Sequence, residues 1–220
     1  MTESPVLSRK TGITLLGGGQ IDPRDVYHAM TIAPHLVAAD GGANQALALE
    51  LMPEAVIGDM DSFDPAHRGR ITAERLHHIA EQDSTDFGKC LRLTQAPFYL
   101  GLGFTGRRLD HTLAALSALA HPPRKKIILI DAEDIVFCAP PEMALTLPVQ
   151  SRFSLYPLGP SAGTSTGLRW PIDGLTLEPC GQIGTSNEVT GPVTLQMTGP
   201  CLVLLPKTAL GEALRALGCV

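Results

Sequence analysis

From Gly12 to Asp131, short apolar runs alternate with longer amphipathic ones, and this alternation constrains the fold more than any other feature of the chain. A short run of branched and aliphatic residues suits a strand buried on both faces, and an amphipathic stretch suits a helix laid across it. Repeated in that order, the two build βα units around a mainly parallel sheet. Strands are predicted at Ile13 to Leu16, Leu36 to Ala39, Ala55 to Ile57, His78 to Ala80, Phe98 to Leu102 and Ile127 to Ile130. Helices are predicted after Asp22-Pro23, over Ala43 to Leu51 ahead of Pro53, over Asp86 to Leu93 behind Thr85, and over Thr112 to Ala120 behind Asp110. Each starts at a capping residue or stops before a proline.

Past about Ala132 the pattern changes. Short β-rich runs at Ala144 to Leu147, Phe153 to Leu158, Leu175 to Leu177, Val193 to Met197 and Cys201 to Leu205 are separated by Gly, Pro, Ser and Thr. That rhythm reads as an antiparallel β-sandwich. Ala139-Pro140-Pro141 is the expected junction, because consecutive prolines resist both helix and central strand. The expected architecture is therefore α/β plus all-β: residues 1–138 as an α/β nucleotide- and metal-binding domain, and 139–220 as a β-sandwich domain.

Composition narrows the function. Of the 220 residues 44% are hydrophobic and 18% charged, which fits a folded globular chain. A formal net charge of -5 offers no basic footprint for a nucleic acid or an anionic membrane. The five cysteines are scattered without a C-x-x-C pair, so neither a disulfide framework nor a zinc site is indicated. No apolar run approaches the about 18 residues needed to span a bilayer, and the first residues lack a leader-like apolar stretch. A cytoplasmic protein is the expectation.

Acids cluster after the predicted strands, where open parallel sheets bind their ligands. Asp59 and Asp61 in Val56-Ile57-Gly58-Asp59-Met60-Asp61 would lie on one side of an extended backbone. Such like charges repel unless a divalent cation joins them, and hard oxygen donors suit magnesium. A plain turn through Asp59 and Ser62 is the equal alternative, while Asp64 before Pro65 reads as a helix cap. Asp40-Gly41-Gly42-Ala43-Asn44 brings glycines that let backbone approach a ligand at a helix start. Gln82-Asp83-Ser84-Thr85-Asp86 with Lys89 sets an acid and a base one helical turn apart, which taken alone is an ordinary ion pair. Gly106-Arg107-Arg108-Leu109-Asp110-His111 supplies cations beside another acid, or simply a capping Asp110. Gly17-Gly18-Gly19 matches neither the Walker A nor the dinucleotide fingerprint, which removes the main support for a P-loop or Rossmann enzyme. Together, Asp40, Asp59, Asp61, Asp86 and Asp110 with Lys89 and Arg108 fit metal-bound polyphosphate: acids for the cation, bases for the oxygens.

The ordered set ADGGAN, GDMDS, QDSTDFGK and GRRLDH resembles the thiamine pyrophosphokinase family, and STGLRW with GTSNEVTG resembles that family's second domain. The resemblance implies transfer of a diphosphate group from ATP to the hydroxyl of thiamine, giving thiamine diphosphate and AMP, with Mg2+ required. It implies Asp59, Asp61 and Asp86 around the metal and phosphates, with Lys89 and Asp110 also catalytic. Asp40, Gly41, Asn44, Gln82, Thr85 and Arg108 would contribute to binding in the same cleft. It further implies a homodimer in which Trp170 stacks on the thiamine rings, with Ser186 and Asn187 nearby; an indole face suits a cationic thiazolium. Many members read G-G-R-x-D where this chain has Gly106-Arg107-Arg108, so either arginine is a candidate for the phosphate. Two other readings are a pyrophosphokinase or diphosphatase acting on another alcohol or nucleotide, and a non-catalytic thiamine or nucleotide sensor.

Overall fold

The structure, a computed structural model, describes residues 4–81, 83–122 and 125–220. Contacts divide the chain into two compact units, Met1–Ala118 with Leu129–Asp131, and Leu119–Ile128 with Ala132–Val220.

The first unit opens with a short strand β1 (Leu7–Ser8) and continues β2 (Ile13–Leu16), α1 (Pro23–Ile32), β3 (His35–Ala39), α2 (Gly42–Ala48), β4 (Ala55–Gly58) and β5 (Leu76–His78). Then come α3 (Asp86–Leu93), β6 (Thr94–Gln95), β7 (Tyr99–Leu102), α4 (Leu109–Ala118) and β8 (Ile127–Ile130), of which Leu129 and Ile130 belong to this unit. β2 pairs in parallel with β3 and β7, β3 with β4, and β4 with β5, giving the order β7-β2-β3-β4-β5. Ile13, Leu15, Leu16, Val37, Val56 and Ile57 are completely buried. That is why these strands are apolar at successive positions rather than alternate ones. Thr14, polar yet fully buried, donates to the Ala33 carbonyl at 2.7 Å.

Helix starts follow the residue chemistry. Asp22 accepts from the Arg24 amide at 2.9 Å with Pro23 in the first turn, and Thr85 accepts from the Gly88 amide at 3.2 Å. Asp64 accepts from the Ala66 amide at 2.8 Å and caps a short 3-10 helix, Pro65–Arg70. α2 ends earlier than Leu51, because Glu50 turns left-handed at φ 59 while the Leu51 amide donates to the Ala46 carbonyl at 2.9 Å. This is the Schellman ending, here with glutamate where glycine is usual. α4 begins at Leu109 rather than Thr112, and β5 ends at His78 rather than beginning there. In β5 the parallel register that pairs Val56 with Leu76 carries the pairing onto two histidines.

The second unit is antiparallel throughout its described pairings. Its strands are β9 (Asp134–Cys138), β10 (Glu142–Leu145), β11 (Arg152–Pro157), β12 (Ser161–Leu168), β13 (Thr176–Leu177), β14 (Gly184–Thr198) and β15 (Cys201–Pro206), followed by α5 (Leu210–Ala216). The 15-residue β14 serves two ladders: its first part pairs with β11, which continues to β15 and β9, and its later part pairs with β10 and β12. Val193, Leu195 and Met197 point inward and alternate with exposed Pro192, Thr194, Gln196 and Thr198, the period of a half-buried strand. The sequence reading missed β9, β12, the first part of β14, and α5. β12 reads Ser-Ala-Gly-Thr-Ser-Thr-Gly-Leu, without an apolar face, and is a strand because β14 pairs with it from Ala162 to Leu168. Among the described residues no helix is long and apolar enough to cross a membrane.

Candidate active site

The carboxyl ends of β2, β3, β4 and β7 meet the starts of α3 and α4 around a cleft of about 880 Å³ in the first unit. Its walls include Gly17, Gly18 and Gly19, then Asp40, Gly41 and Asn44, then Asp59, Asp61 and Ser62. Thr85, Asp86, Lys89, Arg107, Arg108 and His111 add further polar groups to its lining.

Asp40 follows β3 in a left-handed conformation, φ 41, and is 3% exposed. Its Oδ2 accepts from the Ser62 amide at 3.1 Å, while its buried Oδ1 has no hydrogen-bond partner. Burial pushes this carboxyl up to about 6; the Ser62 hydrogen bonds oppose that rise, and Asp61 and Asp86 add to it. The close approach of the strands depends on Gly58, since a Cβ there would lie 2.7 Å from the Asp40 Cβ. At Gly42 a Cβ would meet the Leu16 carbonyl oxygen at 1.9 Å, so only glycine lets α2 start against β2.

Asp59 and Asp61 come together by a different route from the extended backbone expected. Met60 between them is left-handed, φ 62, so the chain turns at the end of β4. The Asp61 amide donates to Asp59 Oδ1 at 3.3 Å, and Ser62 Oγ donates to Asp61 Oδ1 at 2.8 Å. One carboxylate oxygen from each of Asp40, Asp59 and Asp61 lies within 4.8 Å of the others. Asn44 braces this loop from α2: its Nδ2 donates to the Ser62 carbonyl at 2.8 Å, and its Oδ1 accepts from the Asp64 amide at 3.0 Å.

Asp86 opens α3 and accepts from Lys89 Nζ at 3.1 Å, with the lysine 1% exposed. Burial raises the Asp86 carboxyl; Lys89 opposes the rise, and Asp59 and Asp61 add to it. Four carboxylates thus act on one another across a few residues' width, at a cost that a cation would relieve. Opposite them Gly103, at φ 73, lets the Gly19 amide donate to its carbonyl at 2.9 Å.

Nine expected residues line the cleft: Asp40, Gly41, Asn44, Asp59, Asp61, Thr85, Asp86, Lys89 and Arg108. Asp110 is not among its lining residues; it lies 65% exposed and accepts from Arg108 Nη2 at 2.6 Å, a hydrogen bond that holds its carboxyl below the usual range. Gln82 lies outside the described residues. Trp170, Ser186 and Asn187 belong to the second unit, where Trp170 is 55% exposed. The sequence reading did not single out Gln45, Phe87, Phe104 or Thr105, which also line the cleft. The rings of Phe87 and Phe104 meet at 4.4 Å between centroids, tilted by 41°. An aromatic at the second position of a helix carried no signal beyond core packing.

Fold and site define a two-part enzyme, an α/β unit with an acidic strand-end cleft followed by an antiparallel β unit. Comparison with known proteins then names the family. The family model described as thiamin pyrophosphokinase, catalytic domain, matches residues 27–130, and the one described as thiamin pyrophosphokinase, vitamin B1 binding domain, matches residues 146–202. The chain belongs to the thiamin pyrophosphokinase family. Similar relatives include thiamine pyrophosphokinase 1 of Oryza sativa subsp. japonica, 29% identical over 70% of this chain and 71% of the relative. Thiamin pyrophosphokinase 1 of Caenorhabditis elegans is 29% identical over 72% of each. The thiamin pyrophosphokinase from Candida albicans shares the fold with TM-score 0.76 at 17% identity, covering 90% of this chain and 89% of that one. The one from Geobacillus thermodenitrificans does so with TM-score 0.73 at 20% identity, covering 89% and 97%.

Proposed function

We propose that this chain transfers the terminal diphosphate group of ATP to the hydroxyl of thiamine, producing thiamine diphosphate and AMP with magnesium bound. The observation that carries this reading is the gathering of one carboxylate oxygen from each of Asp40, Asp59 and Asp61 within 4.8 Å, in a cluster where Asp40 also keeps a buried Oδ1 without a hydrogen-bond partner. A buried carboxylate oxygen left unsatisfied costs several kcal/mol, on the order of what a missing ligand would return. The donor set is all oxygen, which fits a hard cation such as magnesium. Asp40, Asp59 and Asp61, with Asp86 across the cleft, are the residues that would hold it. Bound magnesium would supply neutralisation of the phosphate oxygens.

The chain's own groups account for the rest. Lys89 is held by Asp86 with its charge at the cleft wall and serves the transferring phosphates, with Arg107 and Arg108 lining the same cleft. Asp61 or Asp86 accepts the proton of the thiamine hydroxyl as the new bond to the β-phosphorus forms and AMP departs. Positioning and charge neutralisation carry most of the acceleration. In the second unit the exposed face of Trp170 is the platform for the thiamine rings. In this reading residues 1–138 are catalytic, residues 139–220 bind thiamine and dimerise, and the working form is a cytoplasmic homodimer.

The test is an assay for thiamine diphosphate and AMP with ATP, magnesium and thiamine, with a chelator arm. AMP release that depends on thiamine and stops with chelator is the expected result. AMP release independent of thiamine would point to another acceptor, and thiamine binding without turnover would point to a sensor.

A further inference from the structure

In the second unit one side chain meets both main-chain polar groups of the only tryptophan. Asn187 is 7% exposed; its Oδ1 accepts from the Trp170 amide at 3.1 Å and its Nδ2 donates to the Trp170 carbonyl at 2.6 Å. The same Oδ1 also accepts from the Glu188 amide at 2.8 Å. The local backbone explains why a side chain does this work. The ladder between β12 and β14 pairs Leu168 with Val189, and the Arg169 amide still reaches the Glu188 carbonyl at 2.9 Å. One step further Ser186 is left-handed, φ 61, and its amide turns to Ser154 Oγ at 3.0 Å. β14 therefore offers Trp170 no continuing strand edge, and the carboxamide of Asn187, which carries one acceptor and one donor like a peptide group, takes the place of that edge.

The consequence falls on the indole. Trp170 lies beyond the end of β12, is 55% exposed, and carries the Arg169 guanidinium 5.1 Å from its ring centroid. A large exposed ring in a bend keeps a fixed direction only if its main chain is tied down. We propose that Asn187 is a positioning residue that fixes Trp170, and that it influences thiamine only through that indole rather than as a ligand. The thiamine half of this inference rests on the functional reading above.

Because the chain has a single tryptophan, its fluorescence reports on this residue alone. Time-resolved anisotropy of the full-length protein should show a larger fast depolarisation in Asn187→Ala than in the parent, on the ps–ns scale. Asn187→Asp keeps the acceptor but sets a carboxylate oxygen against the Trp170 carbonyl in place of the donor, so it too should depolarise more than the parent, and it serves if the alanine variant folds poorly. Steady-state kinetics should show the thiamine KM raised about tenfold or more, with the ATP KM unchanged. In a Trp170→Ala background, which removes the ring, Asn187→Ala should raise the thiamine KM no further. A further rise there would overturn the proposal by showing a direct contact, and anisotropy unaltered in both Asn187 variants would overturn the clamp. If Trp170→Ala alone leaves the thiamine KM unaltered, the platform reading falls and the thiamine half of the inference with it, while the clamp still stands or falls on the anisotropy.

Discussion

Asp40 and Met60 show how much chemistry one backbone angle settles. Both are left-handed, at φ 41 and φ 62, in residue types that adopt this region at a cost. The turn at Met60 brings Asp59 and Asp61 together, Asp40 adds a carboxylate oxygen within 4.8 Å of theirs, and its Oδ1 stays buried without a hydrogen-bond partner. Sequence spacing revealed the Asp59/Asp61 pair but gave the wrong reason for it, since positive φ at methionine has no sequence signature. Asp40 reads as an ordinary turn residue until its unpartnered oxygen is seen. If these acids gather around a cation, Asp61→Ala should lower turnover by about two to three orders of magnitude. Its melting temperature should stay at or above the parent's, because removing one of several repelling carboxylates relieves strain in the apo chain. Near-normal turnover of this variant, measured by thiamine diphosphate formation, would count against the assignment.

At the scale of elements, the βα units were legible because buried parallel strands and capped helices leave strong local signals. β2, β8 and α3 were predicted with their observed limits. The antiparallel unit was less so, because β12 is held by its partner and not by its own composition. Long-range pairs such as the one at the start of β3 were equally silent. There Glu54 accepts from Arg9 Nε at 2.9 Å and lies 2.7 Å from His35 Nδ1. Burial pushes the Glu54 carboxyl up, but hydrogen bonds from His35 and Arg9 outweigh it, and its pKa in the fold lies below 4.5. A carboxyl depressed on folding stabilises the fold above its unfolded pKa, and that contribution is lost as pH falls from there through the folded value. Glu54→Gln should therefore melt below the parent at neutral pH, with the gap closing as pH drops below 4.5. Melting curves across that range check it; a gap independent of pH would show that the ionised form is not what matters.

For the whole molecule, the two units carry different chemistry. Acidic strand ends define the first, and an exposed tryptophan on an antiparallel framework defines the second. If the proposed function holds, ligands should leave separate footprints in amide hydrogen exchange. ATP with magnesium should slow exchange at residues 40–44, 59–62 and 83–89, whereas thiamine should slow it at 169–170 and 186–187. Both ligands protecting only the first set would remove the role given to Trp170.

β14 also sets how the second unit comes apart. Because one strand is partner to β10, β11 and β12, a protease cut inside it loosens all three of those pairings together. Trimmed survivors of that half should not accumulate: digestion would leave it either whole or in pieces.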